Sequence, residues 1–173
     1  RTPIREALQR LETQSLLTRD GRTLIVASLD HNQMAELYVV RTELEGLAAR
    51  LAAQHASVEE VNVLQQMIDA DRERVTDAAA LARSNKRFHK QLHLASHNRF
   101  LVQQLDLVYR SMALLATTSL AVEGRGPMAL DEHQAIVLAI SERDGPAAYE
   151  AVKRHLSEAF VTRLKHDSGT QAW

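Results

Sequence analysis

Thr2-Pro3-Ile4-Arg5-Glu6-Ala7-Leu8-Gln9-Arg10-Leu11-Glu12, then Leu16-Leu17-Thr18-Arg19 and Thr23-Leu24-Ile25-Val26 across Asp20-Gly21, read as one helix running into two short strands. Thr2 can cap a helix whose first residue is Pro3, where the missing N–H costs nothing. Ile4, Leu8 and Leu11 then lie on one face. Two short apolar runs around a Gly-containing turn at Asp20-Gly21 read as a β-hairpin. A helix followed directly by a hairpin is the back half of a winged helix, recognition helix plus wing. On this reading residues 1–28 are the C-terminal part of that unit, and the chain starts too late to include the helices before it.

From Asp30 onward the period is helical. Asp30 caps a long helix to about His55. Ser57 and Glu60 form a capping box for a second, ending near Val75. A third runs from Asp77 to Ser96 and a fourth from Arg99 to about Leu120. Gly124-Arg125-Gly126-Pro127 reads as the clearest loop, followed by a helix to about Arg143. Asp144-Gly145-Pro146 is the next break, and a last helix reaches about His166. The expected fold is mostly α, with residues 29–167 an antiparallel all-helical bundle of about six helices and 168–173 a frayed tail.

Composition agrees. Hydrophobic residues make up 45% of the 173, but aromatics only 4%, so the core must be built from Leu, Ala and Val, which suits packed helices. With no Cys, disulfides and thiolate metal sites are excluded. No run of apolar residues is long enough for a membrane span or signal peptide, which points to a cytoplasmic protein. The net charge of −1 divides into +2 for residues 1–28 and −3 for the remainder. A basic head on an acidic body is compatible with nucleic-acid binding at the head.

Several polar residues fall on the apolar stripes. Arg41 lies between Leu37 and Leu44. Asn85 and His89, four apart, share the stripe of Leu81, Phe88 and Leu92. His133 leads Ile136, Val137 and Ile140, and His155 lies among Ala151, Val152 and Ala159. Burying such groups unpartnered costs about 1–3 kcal/mol each. Each imidazole taken singly reads as a satisfied core histidine. Three in one bundle read equally as a metal set, since imidazole suits Zn, Ni, Cu or Fe. Arg41 likewise reads either as an intrahelical partner of Glu45 or as the guanidinium an anionic ligand needs. His93 lies at the stripe's edge, while His31, His55, His97 and His166 read as helix ends or surface. Glu123, Asp131 and Glu132 read as solvated charges.

Arg1 to Glu12 with Gly21-Arg22 resembles the recognition helix and wing of GntR-family bacterial transcription regulators. Leu37-Tyr38-Val39-Val40-Arg41 with Leu44-Glu45 is similar to the FCD effector domain of the FadR-type subgroup. So are Asn85-Lys86-Arg87-Phe88-His89, Glu132-His133-Gln134-Ala135-Ile136 and Arg154-His155-Leu156. The resemblance implies a homodimer that binds pseudo-palindromic double-stranded operator DNA under control of a small carboxylate effector. It implies a divalent metal, Zn or Ni, on His89, His133 and His155, with Asn85 at a position where metal-binding members usually have Asp. Asn supplies a neutral carbonyl oxygen, so the metal is expected to be held more weakly. Arg41 matches an arginine near the effector's carboxylate. Arg1, Thr2, Arg5 and Arg22 would meet DNA, arginines giving guanine readout and phosphate contacts.

Two rival functions use the same residues. A metal-responsive regulator would take the ion itself as signal. A three-His metal-dependent hydrolase or lyase would need a positioned carboxylate base, and the inward stripes offer no acid near the imidazoles.

Overall fold

The computed structural model describes residues 2–73, 75–115 and 118–170, with the backbone alone for 168–170. Its elements are α1 (Thr2–Thr13), β1 (Leu17–Asp20), β2 (Thr23–Val26), α2 (His31–His55), α3 (Val58–Arg72), α4 (Ala78–Ala95) and α5 (Arg99–Met112). A 3-10 turn (Ser119–Ala121), α6 (Arg125–Ser141) and α7 (Gly145–Thr170) complete it. The fold is mostly α, a helix-plus-hairpin unit (α1, β1 and β2) followed by an antiparallel helical bundle, α2 to α7.

In the hairpin Leu17 pairs with Val26 and Asp20 with Thr23, so the two-residue loop is Gly21-Arg22, one residue later than expected. Gly21 has φ 58°, the positive value such tight loops require and glycine adopts without strain. Arg19 bonds Glu12 at 2.7 Å, tying the hairpin to α1. Ile4, Leu8 and Leu11 are all exposed.

Local capping chemistry places the bundle's helices. Asp30 accepts from the Gln33 N–H while the Gln33 side chain accepts from the Asp30 N–H, and Ser57 and Glu60 repeat the arrangement at α3. Asp77, Asn98 and Asp144 accept from Ala80, Leu101 and Ala147 at the starts of α4, α5 and α7.

The later boundaries differ from expectation. Helix α3 stops at Arg72 rather than Val75, and α5 at Met112 rather than Leu120. Leu120 instead sits in the 3-10 turn, where the Thr118 hydroxyl accepts from its N–H and its side chain packs with Leu81, Ala129 and Leu130. Only Gly124 of the Gly-Arg-Gly-Pro run behaves as loop: it takes φ 77°, and α6 starts at Arg125. Pro127 falls in the first turn, where its missing N–H breaks no intrahelical bond. Helix α7 continues through Thr170, beyond His166. Of the expected tail, 171–173 lie outside the described residues.

Helix α2 is the axis of the bundle, packing on α4, α5, α6 and, most extensively, α7. Ala48, Ala49, Ala52 and Ala53 are fully buried, and such small side chains let neighbouring backbones approach closely. The main core joins Ala49, Ala52 and Ala53 to Leu64 and Ile68 of α3, Phe88 and Leu92 of α4, Ile136 and Ile140 of α6, and Val152 and Leu156 of α7, while Ala48 packs with Leu101 and Leu105 of α5. Among the described residues no helix is long and apolar enough to cross a membrane.

Candidate functional site

The inward stripes of α4, α6 and α7 bring His89, His133 and His155 together as their spacing suggested. All three are buried, and donor nitrogens from each lie within 4.8 Å of one another. The Nε2 atoms of His89 and His155 are 3.3 Å apart. His133 stacks on Phe88 at a centroid distance of 4.0 Å, and its Nε2 has no hydrogen-bond partner among the described residues.

Two carboxylates sit behind these imidazoles, contrary to the expectation that no acid lies near them. Glu45 of α2 is fully buried, and its Oε2 is 2.6 Å from His89 Nδ1. Glu132 of α6, read as a solvated charge, is mostly covered, and its Oε2 is 2.6 Å from His155 Nδ1. Glu45 was findable: it lies four residues after Arg41 and seven after Tyr38, on the same inward stripe. Glu132 carried no such signal, because what covers it is Arg125, in a segment read as loop.

Burial by itself would push the Glu45 carboxyl up, but His89 and Arg41 against it hold it well below the usual carboxylate range. Burial lowers His89 despite Glu45, and it drives His133 and His155 further down, helped by the neighbouring imidazoles and Arg cations. The three rings are therefore neutral near pH 7. A neutral ring whose Nδ1–H donates to a carboxylate carries a lone pair on Nε2. His89 and His155 so arranged point two lone pairs at each other. Two imidazole nitrogens on one tetrahedral zinc, each bound at roughly 2.0–2.1 Å, stand about 3.3 Å apart. The donor set, the orphaned His133 Nε2 and the carboxylates fixing the other two rings all fit a divalent cation.

Asn85, half-buried on α4, and His155 line an adjoining cavity of about 230 Å³, with Tyr38, Arg41, Tyr109 and Arg125 also on its wall. Arg41 pairs with Glu45, and its guanidinium also lines the cavity. Its Nε donates to Glu45 at 2.6 Å and one Nη to the Tyr109 hydroxyl at 3.1 Å, while the same guanidinium faces the cavity. The rings of Tyr38 and Tyr109 flank it at 5.4 and 5.2 Å, and Tyr109 donates to Glu45. Burial works against the Arg41 charge, but Tyr109 and Glu45 more than restore it. His93, placed at the stripe's edge, is instead buried, with Nε2 3.2 Å from Glu45 Oε2.

Glu45 does not supply the free base an enzyme would need. One of its oxygens accepts from Arg41 and Tyr109, and the other faces His89 and His93. At the head, Thr2, Arg5 and Arg22 are exposed on α1 and the hairpin loop, and Arg1 lies outside the described residues.

Comparisons with known proteins agree with this architecture. Residues 36–158 match the FCD domain family. The chain is 30% identical over 170 residues to the HTH-type transcriptional regulator YdhC of Bacillus subtilis, covering 96% of this chain and 75% of that one. Its fold is similar to that of McbR/YncC from E. coli, with a TM-score of 0.84 and 17% identity over 95% of this chain and 85% of that chain. A metal-free FCD domain, that of TM0439, superposes with a TM-score of 0.65 and 21% identity, covering 80% of this chain and 96% of that chain.

Proposed function

Because the chain belongs to the GntR family of transcriptional regulators and carries its FCD effector domain, not an enzyme's catalytic domain, we propose that a small carboxylate metabolite controls its operator binding. On this reading residues 1–28 are the DNA-contacting part of a winged helix. Arg1, Thr2, Arg5 and Arg22 face the duplex, and two heads of a cytoplasmic homodimer read a pseudo-palindrome. Residues 29–167 form the effector and dimerisation unit.

The observation that carries the effector reading is the pair of opposed Nε2 atoms of His89 and His155 beside a cavity walled by Arg41. His89, His133 and His155, with the Asn85 carbonyl, would hold a divalent metal such as Zn or Ni. A bound metal supplies Lewis-acid attraction for a carboxylate oxygen. Arg41, held rigid by Glu45 and the two tyrosines, orients that carboxylate with charge-assisted hydrogen bonds. An effector acts only by binding one arrangement of the paired heads better than the other. The buried Arg125 guanidinium on the cavity wall favours an organic anion over the ion alone as signal.

Elemental analysis of the purified protein beside a His133→Ala variant tests the metal. Near-stoichiometric metal in the wild type, lost in the variant, is expected. Its absence after incubation with Zn or Ni would leave the effector to Arg41 and the imidazoles. Gel shifts at rising effector concentration test the coupling, and an unchanged DNA affinity with every bound metabolite would refute it.

A further inference from the structure

The cavity's charges have not been fully used by an effector with one carboxylate. Four cationic side chains, Arg41, Lys86, Arg125 and Arg163, line it, and none of the described lining residues is an Asp or Glu. Arg41 commits two donors to Glu45 and Tyr109, out of the five a guanidinium carries.

Arg125 is the second anchor. It enters the bundle because α6 starts at that residue, immediately after the left-handed Gly124. Its side chain is 3% exposed, and one Nη donates to Glu132 at 2.6 Å. Its Nε and other Nη are buried without a hydrogen-bond partner among the described residues. A guanidinium that is nine-tenths buried, with two unpartnered donors on a cavity wall, calls for an acceptor oxygen from a ligand. Lys86 of α4 adds a charge from the exposed rim. Glu45 and Glu132 already answer Arg41 and Arg125, so a divalent metal on three neutral imidazoles and Asn85 would add positive charge beyond what those two carboxylates balance.

We propose that the cavity selects a small metabolite with two anionic groups, one held at Arg41 and the other at Arg125 with Lys86. This rests on the effector reading above. The second anion is a carboxylate or a phosphate, both of which match a guanidinium. At about 230 Å³ the cavity lies below the usual range for drug-sized ligands, so the metabolite is a short-chain acid.

Calorimetric titration of the purified protein with matched pairs tests this: malonate against propionate, succinate against butyrate, glutarate against valerate. A further pair, 3-phosphoglycerate against glycerate, reads out phosphate as the second group. At least one dianion is expected to bind about tenfold or more tightly than its singly charged partner, a difference of about 1.4 kcal/mol. Arg125→Gln is expected to abolish that margin while leaving monoanion binding in place, and Arg41→Gln to weaken both members of a pair. Arg125→Gln removes the cation from Glu132, so circular dichroism checks its fold. Lys86→Gln, on an exposed side chain, is measured beside it and should lose part of the margin. Monoanions binding as tightly as their partners would overturn the proposal and leave the carboxylate-effector reading standing. So would a margin that survives both Arg125→Gln and Lys86→Gln. If no acid of either class binds or shifts the thermal midpoint, the effector reading itself fails, and this proposal with it.

Discussion

The Nε2 atoms of His89 and His155 face each other at 3.3 Å in the buried centre of the bundle, each ring held from behind by a glutamate. The arrangement is a direct consequence of hydrogen-bond bookkeeping. Each carboxylate accepts a hydrogen bond from an Nδ1–H, which leaves the lone pair on the inner side of each ring. A cation between them would take both lone pairs, whereas a proton on either Nε2 turns the contact into a hydrogen bond.

Glu45 is the hub of this arrangement. Replacing it with Gln removes the counter-charge of a buried Arg41 and the acceptor that orients His89. The expected cost is about 3–5 kcal/mol in urea denaturation. Affinity for Zn in a competition titration should fall about 10–100-fold, as for other groups that orient a metal's ligands. A variant as stable as the wild type would mean that Arg41 is not charged by way of Glu45.

Acid should destabilise the metal-free protein as the pH falls through the range where free imidazoles titrate. Burial holds His89, His133 and His155 below 6.5 in the folded state, whereas the same rings in the unfolded chain titrate near that value. Below 6.5 the unfolded chain therefore binds protons that the folded chain does not, and stability falls as pH drops. The slope is at most about 1.4 kcal/mol per pH unit for each imidazole. Glu45, held below 4.5, adds its own loss only in more acid solution, as pH falls through its folded value. Thermal midpoints of chelated protein between about pH 7.5 and about pH 5.5 give the check. A flat profile would show that these rings are not buried in neutral form.

Gly46 of α2 lies against the ring of Tyr149 of α7. A Cβ there would lie 2.6 Å from Cδ2 and Cε2 of Tyr149, whose hydroxyl donates to Glu43 and whose ring lies under Arg50. Overpacking of this kind costs about 1–3 kcal/mol. The better helix propensity of Ala returns about 1 kcal/mol. Gly46→Ala should thus destabilise in the wild-type background and become neutral or stabilising when combined with Tyr149→Ala. Equal effects in both backgrounds would mean the ring is not the obstacle.

The proposed DNA contacts should be separable by salt. In a protein carrying the complete winged helix, Arg22→Ala should weaken operator binding for all sequences. The slope of log affinity against log salt should fall by about 1. Arg5→Ala, if that side chain reads a base edge, should also relax specificity at one position by about 1–3 kcal/mol. Binding curves on operator and scrambled duplexes distinguish the two, and wild-type behaviour of both variants would remove them from the interface.

The helix starts were legible because they are written in single side chains: Asp30 with Gln33, Ser57 with Glu60, Asp77, Asn98. So was the inward register of His89, His133 and His155, since a period of 3.6 residues assigns a face within each helix without reference to any other. The end of α5 and the start of α6 were not, because Leu120 leaves the helical path to pack on Leu81 and Leu130, partners distant in sequence. Nor did any local pattern reveal that Glu45 backs His89, that Glu132 backs His155, or that Arg125 is buried. Periodicity says which way a side chain points, but not what stands opposite it. That depended on how closely α4, α6 and α7 pack against the alanine face of α2, which sets the distances at which these charges and imidazoles meet.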